Sequence, residues 1–311
     1  MEIQGNFIKI PNEVILGEET IIKRYGIKSL LVYIYLEKHR TLRGDIYLSL
    51  ANCIKECTFE QGKGAKGNNT QFKKILVGFK KENIITTDTD LEKIKINDLV
   101  KVNIQEVTDR FFILTDTEID KIMKLANKSD KNNNILGVYA EIKARINRKV
   151  KGELDSRCTG HYEVSFPSYI QMCKDTNIKS FDSLHMYLEI LKEMEMIYIG
   201  NNGGRVNKYT GEVKYDNNTY SLLEDDLEQS LKFFKQSNIE IGWEYKKIKD
   251  HRSLGGKKKQ INKKIKDGTA TEEDLKELEY INNILGADQY KTTKEEEVDR
   301  YLEEQEIDEL L

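Results

Sequence analysis

Residues 47–96 read YLSLANCIKECTFEQGKGAKGNNTQFKKILVGFKKENIITTDTDLEKIKI. Ser49 suits a helix N-cap, and Leu50, Ile54 and Cys57 follow it at helical spacing. The run Gly62-Lys63-Gly64-Ala65-Lys66-Gly67 then breaks the helix, since glycine tolerates positive φ and leaves room for a neighbouring backbone. Asn68, Asn69 or Thr70 can cap a second helix. Its buried stripe would be Phe72, Ile75, Leu76 and Phe79, and its other face carries Gln71, Lys73, Lys74, Lys80 and Lys81. Residues 83–87 read as a β-rich strand, Asp88-Thr89-Asp90 as a turn, and residues 93–96 as the returning strand with period 2. Two helices about a glycine turn, followed by a hairpin, predict a helix-turn-helix with a wing.

The whole 311-residue chain is 38% apolar and 33% charged, which suits a helix-rich globular protein of more than one domain. No run approaches 18 apolar residues and the N-terminus lacks the order of a signal peptide, so a cytoplasmic protein without membrane association is expected. Cys53, Cys57, Cys158 and Cys173 are too sparse for a disulfide framework and agree with a reducing compartment. The net charge of −3 conceals a segregation. Residues 270–311 hold 15 acids and 4 bases, a balance of −11, which leaves +8 on residues 1–269. A basic body favours a polyanionic partner.

A second copy of the same grammar starts after Arg110. Phe111–Thr115 answers Phe7–Pro11, and Val138-Tyr139 with Ile142 answers Val32-Tyr33 with Leu36. Ser165-Phe166-Pro167 with Ile170 and Cys173 answers Ser49-Leu50-Ala51 with Ile54 and Cys57; Leu184, Tyr187, Leu188 and Leu191 answer Phe72, Ile75, Leu76 and Phe79. Met196-Ile197 then falls at the position of Ile84-Ile85, and five matches in one order predict a tandem duplication. The fold class expected is mainly α with small β-hairpins (α+β): tandem winged-helix domains at 1–107 and 108–223, then a helical, charged region at 224–311. Pro11 should open a helix of about one and a half turns. Tyr198-Ile199 should lead through Asn201–Gly204 into a second wing, with a hairpin at Lys208–Tyr215. Leu227, Leu231 and Phe234 mark one more amphipathic helix, and Thr271–Asp274 a capping box before another. Between them, Lys246–Lys266 carries ten bases against Asp250 alone, which reads either as a solvated segment or as a nucleic-acid arm. The acidic end reads as a solubilising tail, a mimic of DNA, or a handle for a partner.

The chemistry expected of the first winged helix is duplex DNA recognition. The second helix of such a motif lies in the major groove, where its first turns meet base edges. Here those are Asn68, Asn69, Thr70, Gln71 and Lys74, with amides suited to adenine and the lysine to guanine. Lys63, Lys66, Lys80, Lys93 and Lys95 would meet phosphates, and Lys73 is counted among the DNA-binding residues. The alternative use of such a module is protein docking with solvated lysines. The second copy is the poorer reader, because Glu189, Glu193 and Glu195 share the face of His185 and Lys192. Arg205, Lys208 and Lys214 in its wing would grip backbone, or the module would form a homodimer or partner interface.

Nothing in the linear spacing argues for an enzyme, and no catalytic residue is named. Gly62-x4-Gly67 superficially resembles a phosphate loop, but Asn68-Asn69 occupy the places of the lysine and the hydroxyl. The four histidines form no His-x-His pair, and Cys53-x3-Cys57 and Cys158-x2-His161 are at most zinc fragments. Neither a cofactor nor a metal is expected.

The opening Asn6-Phe7-Ile8-Lys9-Ile10-Pro11, followed by a buried helix, a helix-turn-helix and a wing, resembles the N-terminal domains of plasmid and phage replication initiators and replisome organisers. Two winged helices in series also resemble iteron-binding plasmid initiators, over residues 5–223. Tyr280-Ile281-x2-Ile284-Leu285 is similar to a helix of primosomal helicase-loading proteins, although Gly286-Ala287-Asp288 replaces the expected tryptophan. The resemblance implies sequence-specific binding to origin repeats and recruitment of host helicase or primosome proteins. A transcriptional or partition regulator, or a protein-docking adaptor, would use the same modules.

Overall fold

The structure is a computed structural model that describes residues 6–126, 129–146, 162–245, 258, 260–265, 269–279 and 281–282. The class is mixed α+β, with small antiparallel sheets. Backbone contacts divide the chain into two compact units: Met1–Ile146 with Gln171–Ile197, and Asn147–Ile170 with Tyr198–Leu311.

The first unit begins with β1 (Phe7–Pro11). Pro11 is followed only by a single 3-10 turn, Asn12–Val14, where a longer helix was expected. Helix α1 (Ile21–Tyr25) is capped by Thr20 and stopped by Gly26 at φ 78°. Helix α2 (Lys28–Lys38) buries every residue from Ser29 to Leu36; a helix apolar all round belongs inside. Strand β2 (Asp45–Leu48) leads to α3 (Leu50–Glu56), whose first turn is capped by the Ser49 hydroxyl as its sequence predicts. Helix α4 (Asn68–Lys81) buries Phe72, Ile75, Leu76 and Phe79, each worth about 1.5–3 kcal/mol relative to exposure. Strands β3 (Ile85–Thr86) and β4 (Val100–Ile104) complete a sheet of order β2-β4-β3. The returning strand is therefore 100–104 and not 93–96. Leu91 and Ile94 are buried within the loop before it, and Val100, Val102 and Ile104 offer the longer inward-facing row.

The grammar then repeats: β5 (Phe111–Thr115), α5 (Asp116–Met123), α6 (Ser129–Arg145), β6 (Val164–Ser165), α7 (Tyr169–Thr176), α8 (Phe181–Glu193), β7 (Tyr198–Gly200), β8 (Gly204–Asn207), β9 (Val213–Tyr215), β10 (Thr219–Ser221), α9 (Glu224–Glu240) and β11 (Trp243–Tyr245). The order α2-β2-α3-α4-β3-β4 recurs as α6-β6-α7-α8-β7-β10. Both sheets also set their last strand between the other two, as β2-β4-β3 and β6-β10-β7. Strands β1 and β5 pair antiparallel, with Lys9 opposite Ile113, Phe7 opposite Thr115 and Pro11 opposite Phe111. Phe7 and Phe111 are matched positions of the sequence repeat, so the two matched strands are the ones that pair.

This pairing moves the boundary expected at 107/108. The first unit takes in β5, α5, α6 and α8, and Gly137 of α6 leaves room for Ile27, whose Cδ1 would lie 2.3 Å from an added Cβ. A buried ionic cluster adds to the join. Arg145 bridges Glu141 at 2.5 Å and also Asp175, Lys23 lies 3.3 Å from Asp175, and the Gln171 amide donates to both Asp175 oxygens at 3.0 Å.

In the second unit, α9 lies on the β6-β10-β7 sheet. Gly200 is small where Leu231 comes down: an added Cβ would stand 2.5 Å from its Cδ1, and Phe166 and Phe234 meet edge to face at 5.0 Å. A second sheet, β11-β8-β9, forms a hairpin whose turn is 208–212, so the hairpin expected at Lys208–Tyr215 starts earlier, at Gly204. Ile261 and Ile281, from helical residues 260–265 and 281–282, pack with Val213 of that sheet. The helix at 272–279 starts on the expected box: Asp274 N–H donates to the Thr271 hydroxyl at 3.2 Å and Thr271 N–H to Asp274 Oδ2 at 3.0 Å. No helix among the described residues is long and apolar enough to cross a membrane.

Candidate nucleic-acid interface

The glycine turn is a closed loop held by the first turn of α4. Gly67, not an asparagine or threonine, is the N-cap, and it offers no side chain to the helix. An added Cβ there would stand 2.4 Å from the Gly62 carbonyl oxygen, so only glycine lets the two ends of the loop touch. Asn69 N–H donates to Gly62 O at 3.1 Å while the Asn69 Oδ1 accepts from Gly62 N–H at 3.1 Å. Asn68 Nδ2 donates to Glu60 O at 2.8 Å, Thr70 Oγ1 to Gly64 O at 2.8 Å, and Gln71 Nε2 to Lys66 O at 3.1 Å. The remaining amide oxygens of Asn68 and Gln71 accept from the Lys28 ammonium at 3.1 and 2.9 Å. That ammonium also sits 4.6 Å over the Phe59 ring.

What the loop presents outward is Lys63, Ala65 and Lys66, all exposed. Lys74, one helical turn beyond Thr70, is exposed on the same side, and Lys81 follows two turns later. None of these four lysines has an acidic partner within ion-pair distance among the described residues. Lys73 and Lys80 are engaged within the chain. Their ammonium groups donate to the carbonyl oxygens of Glu92 and Thr89, each at 2.9 Å, and tie the loop before β4 down onto α4. Lys93 pairs with Asp90 at 3.0 Å; the mutual hydrogen bond lowers the carboxyl and raises the amine. Lys95 is exposed in that loop, its own N–H donating to Asp98.

The cations expected to grip DNA in the second unit are internally paired. Arg205 lies 3.2 Å from Asp216 and stacks 4.9 Å from Trp243, Lys214 pairs with Glu212 at 2.9 Å beneath the same ring, and Lys208 is 3.7 Å from Glu244. Tyr245 hydroxyl completes the knot by donating to Asp216 at 2.7 Å. On α8, His185 and Met186 are exposed beside Lys192, Glu193 and a half-buried Glu189.

Sequence reasoning missed Lys28 and Phe59, which organise the first turn of α4 from distant positions. Neither carries a local signal, because the contacts span about one turn of α4 in space but 40 and 43 residues in sequence for Lys28. Cys53 and Cys57 are core residues: a hydrogen bond to Cys57, with burial, holds the Cys53 thiol well above the usual range. Cys158 with His161, most of Lys246–Lys266 and the acidic end beyond 282 lie outside the described residues. No family model matches the chain, and neither the curated proteins nor the solved structures contain a match to it.

Proposed function

We propose that the chain is a duplex-DNA-binding protein of the replication-initiator kind, built from two winged helices, with the face of α4 and its glycine loop as the principal DNA contact. The observation that carries this reading is the set of exposed lysines without acidic partners among the described residues, Lys63, Lys66 and Lys74, gathered where the loop meets the helix. The helices α3 and α4 followed by the strands of the β2-β4-β3 sheet support the winged-helix reading, and such a module lays its second helix toward a groove. A preformed loop that holds cations in place meets phosphates at little cost in ordering. Origin repeats as the bound sites, and host replication proteins as further partners, follow from the resemblance of the opening residues to initiators.

The test is binding of the full chain to a fluorescent duplex across a salt series. Each phosphate contact should contribute about 0.9 to the slope of log affinity against log salt. Changing Lys63, Lys66 and Lys74 together to Glu should abolish binding while leaving the far-ultraviolet circular dichroism unchanged. Unaltered affinity in that variant would place the contact elsewhere and sink the reading.

A further inference from the structure

The first turn of α4 holds the residues best suited to read bases, yet they are already engaged. A glutamine or asparagine reads adenine by offering its carbonyl oxygen and its amide N–H together. In Asn68 and in Gln71 both ends are taken, by Lys28 on one side and by Glu60 O or Lys66 O on the other. Asn69 spends its oxygen on Gly62 N–H, and the Thr70 hydroxyl donates to Gly64 O. Turning either amide toward a base breaks two hydrogen bonds and strips an acceptor from a half-buried ammonium.

Resting on the DNA-binding reading above, we infer that Asn68 and Gln71 are positioning residues for the lysine-bearing loop and not base readers, so that the first unit holds DNA by its phosphates with little dependence on sequence. Lys28 is the hub of this arrangement. It fixes two amides, which fix residues 60–66, which place Lys63 and Lys66. Lys74 adds a third cation along the helix. Any choice among sequences made by the whole chain is then independent of the first turn of α4.

The experiment is selection from a randomised duplex pool with the full chain, run for the natural protein and for Asn68→Ala/Gln71→Ala, followed by affinity measurements on three unrelated duplexes. The double variant should weaken all three duplexes by the same factor and leave the selected pool unchanged. A base reader would instead lose roughly 5- to 150-fold on one sequence relative to the others, the range of a bidentate contact. That result, or a selected motif that disappears in the variant, overturns the inference while leaving DNA binding in place. Failure of the natural protein to bind any duplex overturns both. Should the double variant melt early, Lys63→Ala/Lys66→Ala, two exposed side chains outside the packing, decides the matter. Equal weakening on all three duplexes with a shallower salt slope supports the phosphate mode, and a change confined to one sequence refutes it.

Discussion

Gly67 and Gly64 stand three residues apart and are needed for different reasons. At Gly67 the backbone is extended and any residue could adopt it, but a Cβ would collide with the carbonyl oxygens of Gly62 and Lys63 at 2.4 and 2.6 Å. At Gly64 nothing lies within 4 Å, but φ is +94°. Gly67→Ala should therefore cost about 1–3 kcal/mol, the range for forcing extra volume into a closed site, and should lower DNA affinity by displacing Lys63 and Lys66. Gly64→Ala should cost roughly 1 kcal/mol of backbone strain and leave the lysines near their places. Urea denaturation of both variants, read beside the duplex affinity, checks the contrast. Both glycines are visible in the sequence as turn residues. Which of them tolerates a methyl group is not, since the colliding atoms belong to Gly62 and Lys63 folded back on Gly67.

Among the elements, α9 shows how a local pattern becomes a structural role. Leu227 and Leu231, at helical spacing, face the β6-β10-β7 sheet, and the acidic first turn Glu224-Asp225-Asp226 suits a helix N-terminus. Trp243, the only tryptophan of the chain, is 8% exposed on the strand that follows and serves as a reporter of this unit. Leu227→Ala should destabilise the second unit by about 2–5 kcal/mol, seen as an earlier denaturant midpoint of Trp243 emission. An unshifted midpoint would mean that α9 contributes little to holding the sheet. The position of α3 was legible from its Ser49 cap and apolar spacing, and those of α4 and α9 from apolar spacing alone. The wing was not: residues 93–96 alternate as a strand would, but β4 won because its inward row reaches from Val100 to Ile104 and pairs with β2 over four residues.

At the scale of the whole molecule, the ionic cluster of the first unit carries a pH dependence. Glu141 is fully buried and its Oε2 has no hydrogen-bond partner among the described residues. Burial raises its pKa from 4.5 to about 7, opposed by Arg145 and assisted by the charge of Asp175. The folded protein thus binds this proton more tightly than the unfolded chain. The stabilisation is complete below the unfolded value near 4.5 and is lost as pH rises through about 7, a fall of about 3 kcal/mol. Glu141→Gln keeps an acceptor for Arg145 and leaves Asp175 and Lys23 charged. It should flatten that part of the curve and be more stable than the natural protein at pH 8, by urea denaturation across pH. Parallel curves for the two proteins would show that Glu141 ionises in the folded state as it does in water.

By itself the sequence determined α2, α3, α4, α8 and α9, the Ser49 cap and the glycine break, because φ preferences, local capping and apolar periodicity are properties of a few neighbouring residues. Tertiary structure alone decided the rest. The β1–β5 pairing drew the helices of both copies into one unit, since strands join through backbone hydrogen bonds that carry no residue signature. Lys28, 40 residues upstream of Asn68, donates to the amide oxygens of Asn68 and Gln71, while their nitrogens donate to the loop carbonyls of Glu60 and Lys66. A residue's chemistry is written in its side chain, but whether that chemistry is free for a partner depends on which distant atoms folding brings against it.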